Sequence, residues 1–235
     1  MLQRYAIFAV ATVIQSAGIA LVVKSLLGTS PISSFPYVLS LIFPYTLGEF
    51  TFAVNMLLVL GQVLLLQRDF DHVQWLQVPM TMLFACAIDV FMEVFGWVTP
   101  HSYFWQLVPL VCGTTCIALG VALQGIANVL MLPGEGIVYA VARRFHIAFG
   151  RVKTANDVSL VCLALICSVA FLGSIEGIRE GTLFSALVTG SIAQFFLQHL
   201  SRVDTQGQLH LRSPFSHKHD SIDNSVSDKP AEAEN

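Results

Sequence analysis

Charged residues are scarce in this sequence, and their scarcity excludes an ordinary soluble fold. Asp, Glu, Lys and Arg make up 11% of the 235 residues, whereas 55% are hydrophobic and the mean hydropathy is +0.70. A soluble domain has about 25% charged residues, so the polar surface that keeps a globule in solution is missing. The net charge of −3 is small and carries no information about partners.

Motifs for catalysis and cofactor binding are also missing. We find no phosphate-binding glycine loop, no HExxH pair, no Gly-x-Ser-x-Gly turn and no basic patch for nucleic acid. The five cysteines lie inside apolar segments, and no further ligand completes a metal set around Cys112 and Cys116. We interpret them as packing residues. We therefore expect a protein that is not an enzyme and binds no cofactor, metal or nucleic acid.

What the sequence has instead is long apolar segments. Six of them have the length needed to cross the roughly 30 Å hydrocarbon core of a bilayer. They are residues 5–27, 47–67, 74–98, 104–127, 152–173 and 182–200. The first is too long for the apolar core of a signal peptide, and we expect it to be retained. The pattern predicts an all-α polytopic transmembrane helix bundle embedded in a lipid bilayer.

Two shorter apolar segments, 32–43 and 134–142, reach only part of the way across a bilayer. Each begins at a proline in a cluster of small residues. Pro31 follows Gly-Thr-Ser, and Pro133 is followed by Gly134 and, two residues later, by Gly136. Proline suits the first turn of a helix. We predict that both segments are short broken or re-entrant helices.

An ungapped shift of about 102 residues superposes the first half of the chain on the second. It aligns Gly18 with Gly120 and, without a gap, both proline breaks. We predict two repeats, 1–102 and 103–200, each with three long helices and one short re-entrant or broken helix. Residues 201–235 are too polar to bury a core, and we predict a disordered cytoplasmic tail.

Loop charge distinguishes two arrangements of these halves. If the short segments cross the membrane, the halves are parallel; if they dip in and return, the halves are inverted. The loop after the second short segment is flanked by four basic residues, which the positive-inside rule places in the cytoplasm. They are Arg143, Arg144, Arg151 and Lys153. Its counterpart, residues 44–48, has no Lys or Arg, which favours inverted halves with six crossings. Both arrangements put both chain termini in the cytoplasm.

Polar residues inside the apolar segments are the candidate pathway residues, because ionisable groups in lipid are costly. Glu135 opens the second short segment, where its carboxylate is either a partner for the helix dipole or a proton or cation site. At the matching position the first half has Ser33, with Ser34 beside it. Exposed N–H groups there suit an anionic ligand.

Three further polar residues are candidates for the same pathway. Asn55 and Asp157 match under the shift, which suggests that they face a common central space. The alternatives are an interhelical hydrogen bond, or an ion pair of Asp157 with Lys153 one turn earlier. Asp89 stands four residues before Glu93. This acidic pair is either part of a proton relay or a group that reaches the membrane interface.

Four stretches resemble the bacterial YitT/YczE-like family of integral membrane proteins. They are Gly-Thr-Ser-Pro at 28–31, Leu-Pro-Gly-Glu-Gly at 132–136, Phe-Gly-Arg-Val-Lys-Thr-Ala-Asn-Asp-Val at 149–158 and Arg-Glu-Gly-Thr at 179–182. The resemblance covers about residues 5–200. It implies a multi-pass protein of the bacterial inner membrane. Members of that family are largely uncharacterised and usually described as membrane proteins or transporters, so the resemblance assigns no substrate.

We expect a secondary transporter or exporter of a small molecule. Its site would lie between the two broken helices, and proton or cation coupling would run through the acidic residues. The alternative is a non-transporting membrane regulator or assembly partner, which would act through the basic loop 143–153 or through the tail.

Overall fold

The structure, a computed structural model, describes residues 2–67, 70, 72–203 and 209–211. Within these residues the chain forms eight α-helices. They are α1 Leu2–Lys24, α2 Pro31–Ile42, α3 Leu47–Leu66, α4 Gln77–Val94, α5 Tyr103–Ala127, α6 Pro133–Phe145, α7 Phe149–Cys167 and α8 Glu180–Leu200. A 3-10 turn, His72–Leu76, precedes α4, and a π-helical turn, Ser168–Leu172, continues α7.

Six of these helices are long and apolar enough to cross a membrane, which confirms the predicted transmembrane bundle. These spans are Gln3–Lys24, Leu47–Leu66, Val73–Val94, Tyr103–Ala127, Phe149–Leu172 and Glu180–Leu200. The helices α2 and α6 have only 12 and 13 residues. At about 1.5 Å per residue they are too short to cross the hydrocarbon core.

The predicted tail, 201–235, lies mostly outside the described residues. In the part that is described, β1 (Ser201–Val203) pairs antiparallel with β2 (Leu209–Leu211). The Leu-His-Leu sequence of β2 alternates apolar and polar residues, which suits a strand.

Helices α1 and α5 form the centre of the bundle and run antiparallel. A Cβ added to Gly18 would lie 2.7 Å from the carbonyl oxygen of Gly113, and a Cβ on Gly113 would lie 2.7 Å from that of Gly18. A Cβ on Gly120 would lie 2.8 Å from the carbonyl oxygen of Ala11. Late residues of α1 therefore meet early residues of α5, and early ones meet late ones. Small residues permit this close backbone approach.

The antiparallel pair defines two ends of the bundle. End A is where α1 begins; there Phe8 of α1 packs in one cluster with Met80 of α4 and with Leu130, which follows α5. End B is where α1 finishes, and there Val23 shares a cluster with Met92 of α4 and Leu107 of α5. Helix α4 therefore runs parallel to α1 and brings the chain back to end B before α5 begins.

The short helices α2 and α6 point to opposite ends. Helix α2 leads to the start of α3 at end B, where the Gly48 amide donates a hydrogen bond to Asp89, near the end of α4. Helix α6 leads to end A, where Arg143 and Arg144 line an open cavity together with the end of α3. The starts of the two short helices meet inside the bundle, because a Cβ on Gly134 would overlap the side chain of Ile32.

An extended segment carries the chain from end B back into the bundle before α2. Gly28 has φ +113, a conformation that favours glycine, and a Cβ there would lie 2.5 Å from Thr182 Oγ1. The Thr29 amide donates to the same hydroxyl at 3.2 Å, and the Gly181 amide donates to the Leu27 carbonyl at 2.8 Å. The beginning of α8 therefore forms hydrogen bonds with backbone groups of this irregular segment. Backbone groups inside a membrane need such partners, because no water is there to bind them.

Helices α7 and α8 lie at the periphery. Large apolar side chains on them are exposed, among them Leu187 at 78%, Leu183 at 69% and Ile166 at 65%. In a bilayer such surfaces face lipid, so their exposure agrees with a membrane-embedded bundle.

Candidate functional site

A cavity of about 160 Å³ lies where the starts of α2 and α6 meet. Both halves of the chain supply polar groups to it. The first half contributes Gln15, Ser30, Ser33, Thr51 and Asn55, and the second contributes Glu135, Lys153, Asp157, Ser185 and Thr189. Apolar side chains complete the wall, among them Phe84, Ile117 and Val121.

The cavity brings together most of the residues that the sequence predicts as pathway residues. Ser33 and Asn55 reach it from the first half, and Glu135 and Asp157 reach it from the second. Of the predicted helix-start residues, Pro31 and Gly134 also line it.

Hydroxyl and amide groups form the first-half side of the cavity. Ser33 is 3% exposed, and its hydroxyl oxygen accepts a hydrogen bond from the Ser30 hydroxyl at 2.9 Å. The Asn55 side-chain amide donates to the Thr51 carbonyl at 2.8 Å. The Thr51 hydroxyl oxygen itself is buried and has no hydrogen-bond partner among the described residues. Ser34 is buried too, but its hydroxyl donates to the Pro31 carbonyl at 2.6 Å, and it does not line the cavity.

Charged groups form the second-half side. Lys153 Nζ lies 3.9 Å from Asp157 Oδ2, at the outer limit of an ion pair, and the side chains are 43% and 26% exposed. The Glu135 carboxylate is close enough to interact electrostatically with both. Among the described residues it has no hydrogen-bond donor. When all three groups are ionised, they leave one net negative charge in the cavity.

Lys153, one of the four basic residues predicted to flank the loop after the second short segment, lines this cavity. Helix α7 begins at Phe149, so Lys153 is already one turn inside the helix and reaches the cavity. Arg151 is in the first turn of α7 and is exposed. Arg143 and Arg144 line the open cavity of about 640 Å³ at end A, with Leu64–Gln67 and His146. The predicted basic group is therefore divided between two places.

Asp89, like Ser34, is a predicted pathway residue that does not line the cavity. Its carboxylate accepts hydrogen bonds from the Thr46 hydroxyl at 2.7 Å and from the Gly48 amide at 2.8 Å. Thr46 also forms a capping box with Glu49 at the start of α3. Asp89 thus satisfies one of the free N–H groups at a helix N-terminus, where a negative charge is favourable.

Two glutamines that the sequence analysis did not select hold the start of α6. Gln62 Nε2 donates to the Pro133 carbonyl at 3.2 Å, and the side-chain amides of Gln62 and Gln77 exchange hydrogen bonds at 3.3 Å. A Cβ on Gly136 would lie 2.6 Å from Gln62 Oε1, so the glycine permits this approach. The available signal was a polar residue, Gln62, in the middle of an apolar segment.

Thr51 was also missed, although the 102-residue shift contained a signal for it. Under that shift Thr51 aligns with Lys153, just as Ser33 aligns with Glu135 and Asn55 with Asp157. All three pairs line the cavity. No group of three His, Cys, Asp or Glu side chains that could hold a metal ion occurs in the described part of the chain.

Comparison with known proteins gives a family and no activity. The sequence profile of DUF6198, a family of unknown function, matches residues 2–198. The chain belongs to this family. It is 26% identical over 104 residues to an uncharacterized protein of Haemophilus influenzae, an alignment that spans 44% of each chain. No solved structure matches the chain.

Proposed function

We propose that this protein is a secondary transporter or exporter that binds a small molecule in the cavity between α2 and α6. The observation that carries the proposal is the meeting of two short helix starts at a cavity lined by Glu135, Lys153 and Asp157. Transporters place substrate sites near the bilayer midplane, at discontinuous helices between repeats. Ionisable groups inside a membrane protein usually mark such pathways.

An internal repeat is part of this proposal. Helices α2 and α6 begin at Pro31 and Pro133, and α3 and α7 begin at Leu47 and Phe149, so both pairs keep the 102-residue offset. Helix packing is also symmetric between the halves. Helix α2 packs against α7, and the corresponding pair, α6 and α3, packs in the same way.

The direction of α1 and α5 supports inverted halves. These two helices correspond under the offset, and they run antiparallel through the Gly18–Gly113 and Ala11–Gly120 contacts. The loops after α2 and α6 lie at opposite ends of the bundle. Inverted halves with the cavity between them suit alternating access, in which one half moves against the other around a fixed site.

Charge supports a cytoplasmic position for end A. Arg143 and Arg144 lie there, together with the start of α1. The end of α8 also lies there, because Leu197 is next to Gly125 near the end of α5. The positive-inside rule then puts both termini in the cytoplasm of a bacterial cell, with the bundle in its inner membrane. The motif Leu-Pro-Gly-Glu-Gly at 132–136 further supports kinship with YitT/YczE-like proteins.

Transport is tested with the full-length protein in proteoliposomes, with a solute panel that covers amines, organic acids and sugars. We expect at least one solute to be taken up by the wild type and not by the double variant E135Q/D157N. The matched control is E93Q, because Glu93 is exposed and lies outside the cavity. Uptake that E135Q/D157N leaves unchanged, or no uptake of any solute, contradicts the proposal.

A membrane regulator is the second candidate, and the open basic cavity at end A favours it. Arg143, Arg144 and His146 there present cationic and polar groups around about 640 Å³. Deletion of residues 201–235 in cells separates a transporter from a regulator that acts through the tail. A transporter retains its function without this segment, whereas a regulator that acts through the tail loses it.

A further inference from the structure

We propose that the ligand of the central cavity is a small organic monocation with N–H donors and an apolar body, such as an alkylammonium or alkylguanidinium ion. The inference rests on the proposed function, since it assigns a ligand class to the same cavity. Three features of the cavity carry it: its charge balance, its unused hydrogen-bonding groups and its apolar wall.

When Glu135, Lys153 and Asp157 are ionised, the cavity has one net negative charge, which a ligand with one positive charge would neutralise. Lys153 is opposite Asp157, at 3.9 Å, and its single charge is shared with Glu135, which has no hydrogen-bond donor among the described residues. An ionised carboxylate away from water is stable only when a cation or hydrogen-bond donors compensate it. A monocation beside Glu135 makes the cavity neutral. An anionic ligand would add a third negative charge next to Glu135 and Asp157, which is unfavourable.

Two side-chain oxygen atoms on the cavity wall formed by the first half of the chain can accept hydrogen bonds from N–H groups. Thr51 is 4% exposed, lines the cavity, and its hydroxyl oxygen has no partner in the described residues. The side-chain amide nitrogen of Asn55, which also lines the cavity, donates to the Thr51 carbonyl, so the Asn55 side-chain oxygen remains available as an acceptor. Unsatisfied buried polar groups are rare in proteins and need an explanation. An ammonium or guanidinium group between Glu135, Thr51 and Asn55 provides one.

The apolar wall separates an organic cation from a bare metal ion. Ca²⁺ and Mg²⁺ take about six or more oxygen ligands, with carboxylates among them. The described residues contain no cluster of three His, Cys, Asp or Glu side chains. Ile32, Ile117 and Val121 instead offer a surface that an alkyl group can cover. Burying that group against them is favourable.

Direct binding tests the inference on the purified full-length protein in lipid nanodiscs, by isothermal titration calorimetry. The probes are butylammonium, butylguanidinium, its neutral near-isostere butylurea, the anion pentanoate, and sodium chloride. We expect both cations to bind, butylguanidinium at least tenfold more tightly than butylurea, and pentanoate and sodium not to bind. Absence of binding by both organic cations, or preferential binding of butylurea, pentanoate or sodium, overturns the inference.

Two variants locate the binding. E135Q is expected to weaken butylguanidinium binding roughly 30-fold or more, the scale for removing one partner of a desolvated charge pair. E93Q changes the same functional group at an exposed position and is expected to bind as the wild type does. Size-exclusion chromatography and thermal unfolding show that each variant is folded. Equal affinity of folded E135Q and wild type overturns the assignment of the site.

Flux measured with the same probes distinguishes failure of the ligand class from failure of transport. Butylguanidinium suits proteoliposomes because its charge persists at every usable pH, as an arginine side chain does, so leakage of a neutral form is small. If it binds but does not move, the ligand class stands and transport fails. If pentanoate or butylurea moves while neither cation binds, transport stands and the ligand class fails. If nothing binds or moves, both fail.

Discussion

A methyl group added where α1 and α5 are closest tests the packing on which the cavity depends. In G18A the new Cβ would lie 2.7 Å from the Gly113 carbonyl oxygen and 2.7 Å from the Ile117 amide nitrogen. Both are backbone atoms of a central helix and cannot swing aside. A carbon–oxygen contact relaxes at about 3.4 Å, so the helices must separate by about 0.7 Å. Overpacking of this kind costs about 1–3 kcal/mol.

The same helix pair offers an equivalent variant and a matched control. In G120A the added Cβ would lie 2.7 Å from Gln15 Cβ and 2.8 Å from the Ala11 carbonyl oxygen, so a similar loss of stability is expected. In G125A, also in α5, the nearest atom is Leu197 Cδ2 at 3.5 Å, an ordinary contact. Alanine forms helices better than glycine by about 1 kcal/mol, so G125A is expected to be as stable as the wild type or more stable.

Thermal unfolding in a mild detergent measures these differences. For a chain of this size each kcal/mol shifts Tm by about 2–4 °C. All three variants share the gain in helix propensity, so G18A and G120A should melt roughly 2–12 °C below G125A, which should melt at or above the wild type. If G18A and G120A are as stable as G125A, α1 and α5 are not in backbone contact at these glycines, and the antiparallel pairing inferred from that contact is refuted.

Two further predictions concern topology and capping. With the five native cysteines replaced, single cysteines T46C and A148C should react with a membrane-impermeant maleimide from opposite sides; labelling from the same side contradicts inverted halves. D89N should lower the free energy of unfolding by about 0.5–2 kcal/mol, because it weakens the acceptor for Thr46 and Gly48 at the start of α3. Chemical denaturation measures the loss, which E93Q should not show.

The helices could be predicted from segment length and hydropathy. The site could be predicted only in part, because some of its contacts join residues that are far apart in the sequence. The six spans follow from runs of apolar residues, and both short helices begin at the predicted prolines, Pro31 and Pro133. Those features are local in the sequence, so a single chain is enough to read them. The cavity residues that align under the 102-residue shift could also be predicted from the sequence.

Roles that depend on a distant partner were not predictable. Asp89 caps α3 only because the start of α3 packs against the end of α4. Its hydrogen-bond partner, Gly48, is 41 residues away in the sequence. Gln62 matters because Pro133, 71 residues away, presents a carbonyl to it. Each case needs the position of a second element, which no local pattern contains.

The charge asymmetry between the halves leads to a last prediction. At matching positions the first half carries Thr51 and Asn55 and the second half carries Lys153 and Asp157, and all four line the cavity. If Asn55 and Asp157 contact the same ligand, a carboxylate at position 55 should bind it nearly as well as a carboxylate at position 157. We therefore expect D157N to weaken butylguanidinium binding and N55D/D157N to recover part of the loss.

Recovery should be incomplete, because the exchange also separates Lys153 from its partner Asp157, one helical turn away. The released ammonium then competes with the ligand for the carboxylates. Adding K153T, which installs the first-half residue at the matching position, removes that competitor and should raise affinity above that of N55D/D157N. Calorimetry on folded variants measures each step. If N55D/D157N binds no better than D157N, the two positions do not contact a common ligand, and the cavity is not a single site shared by the two halves.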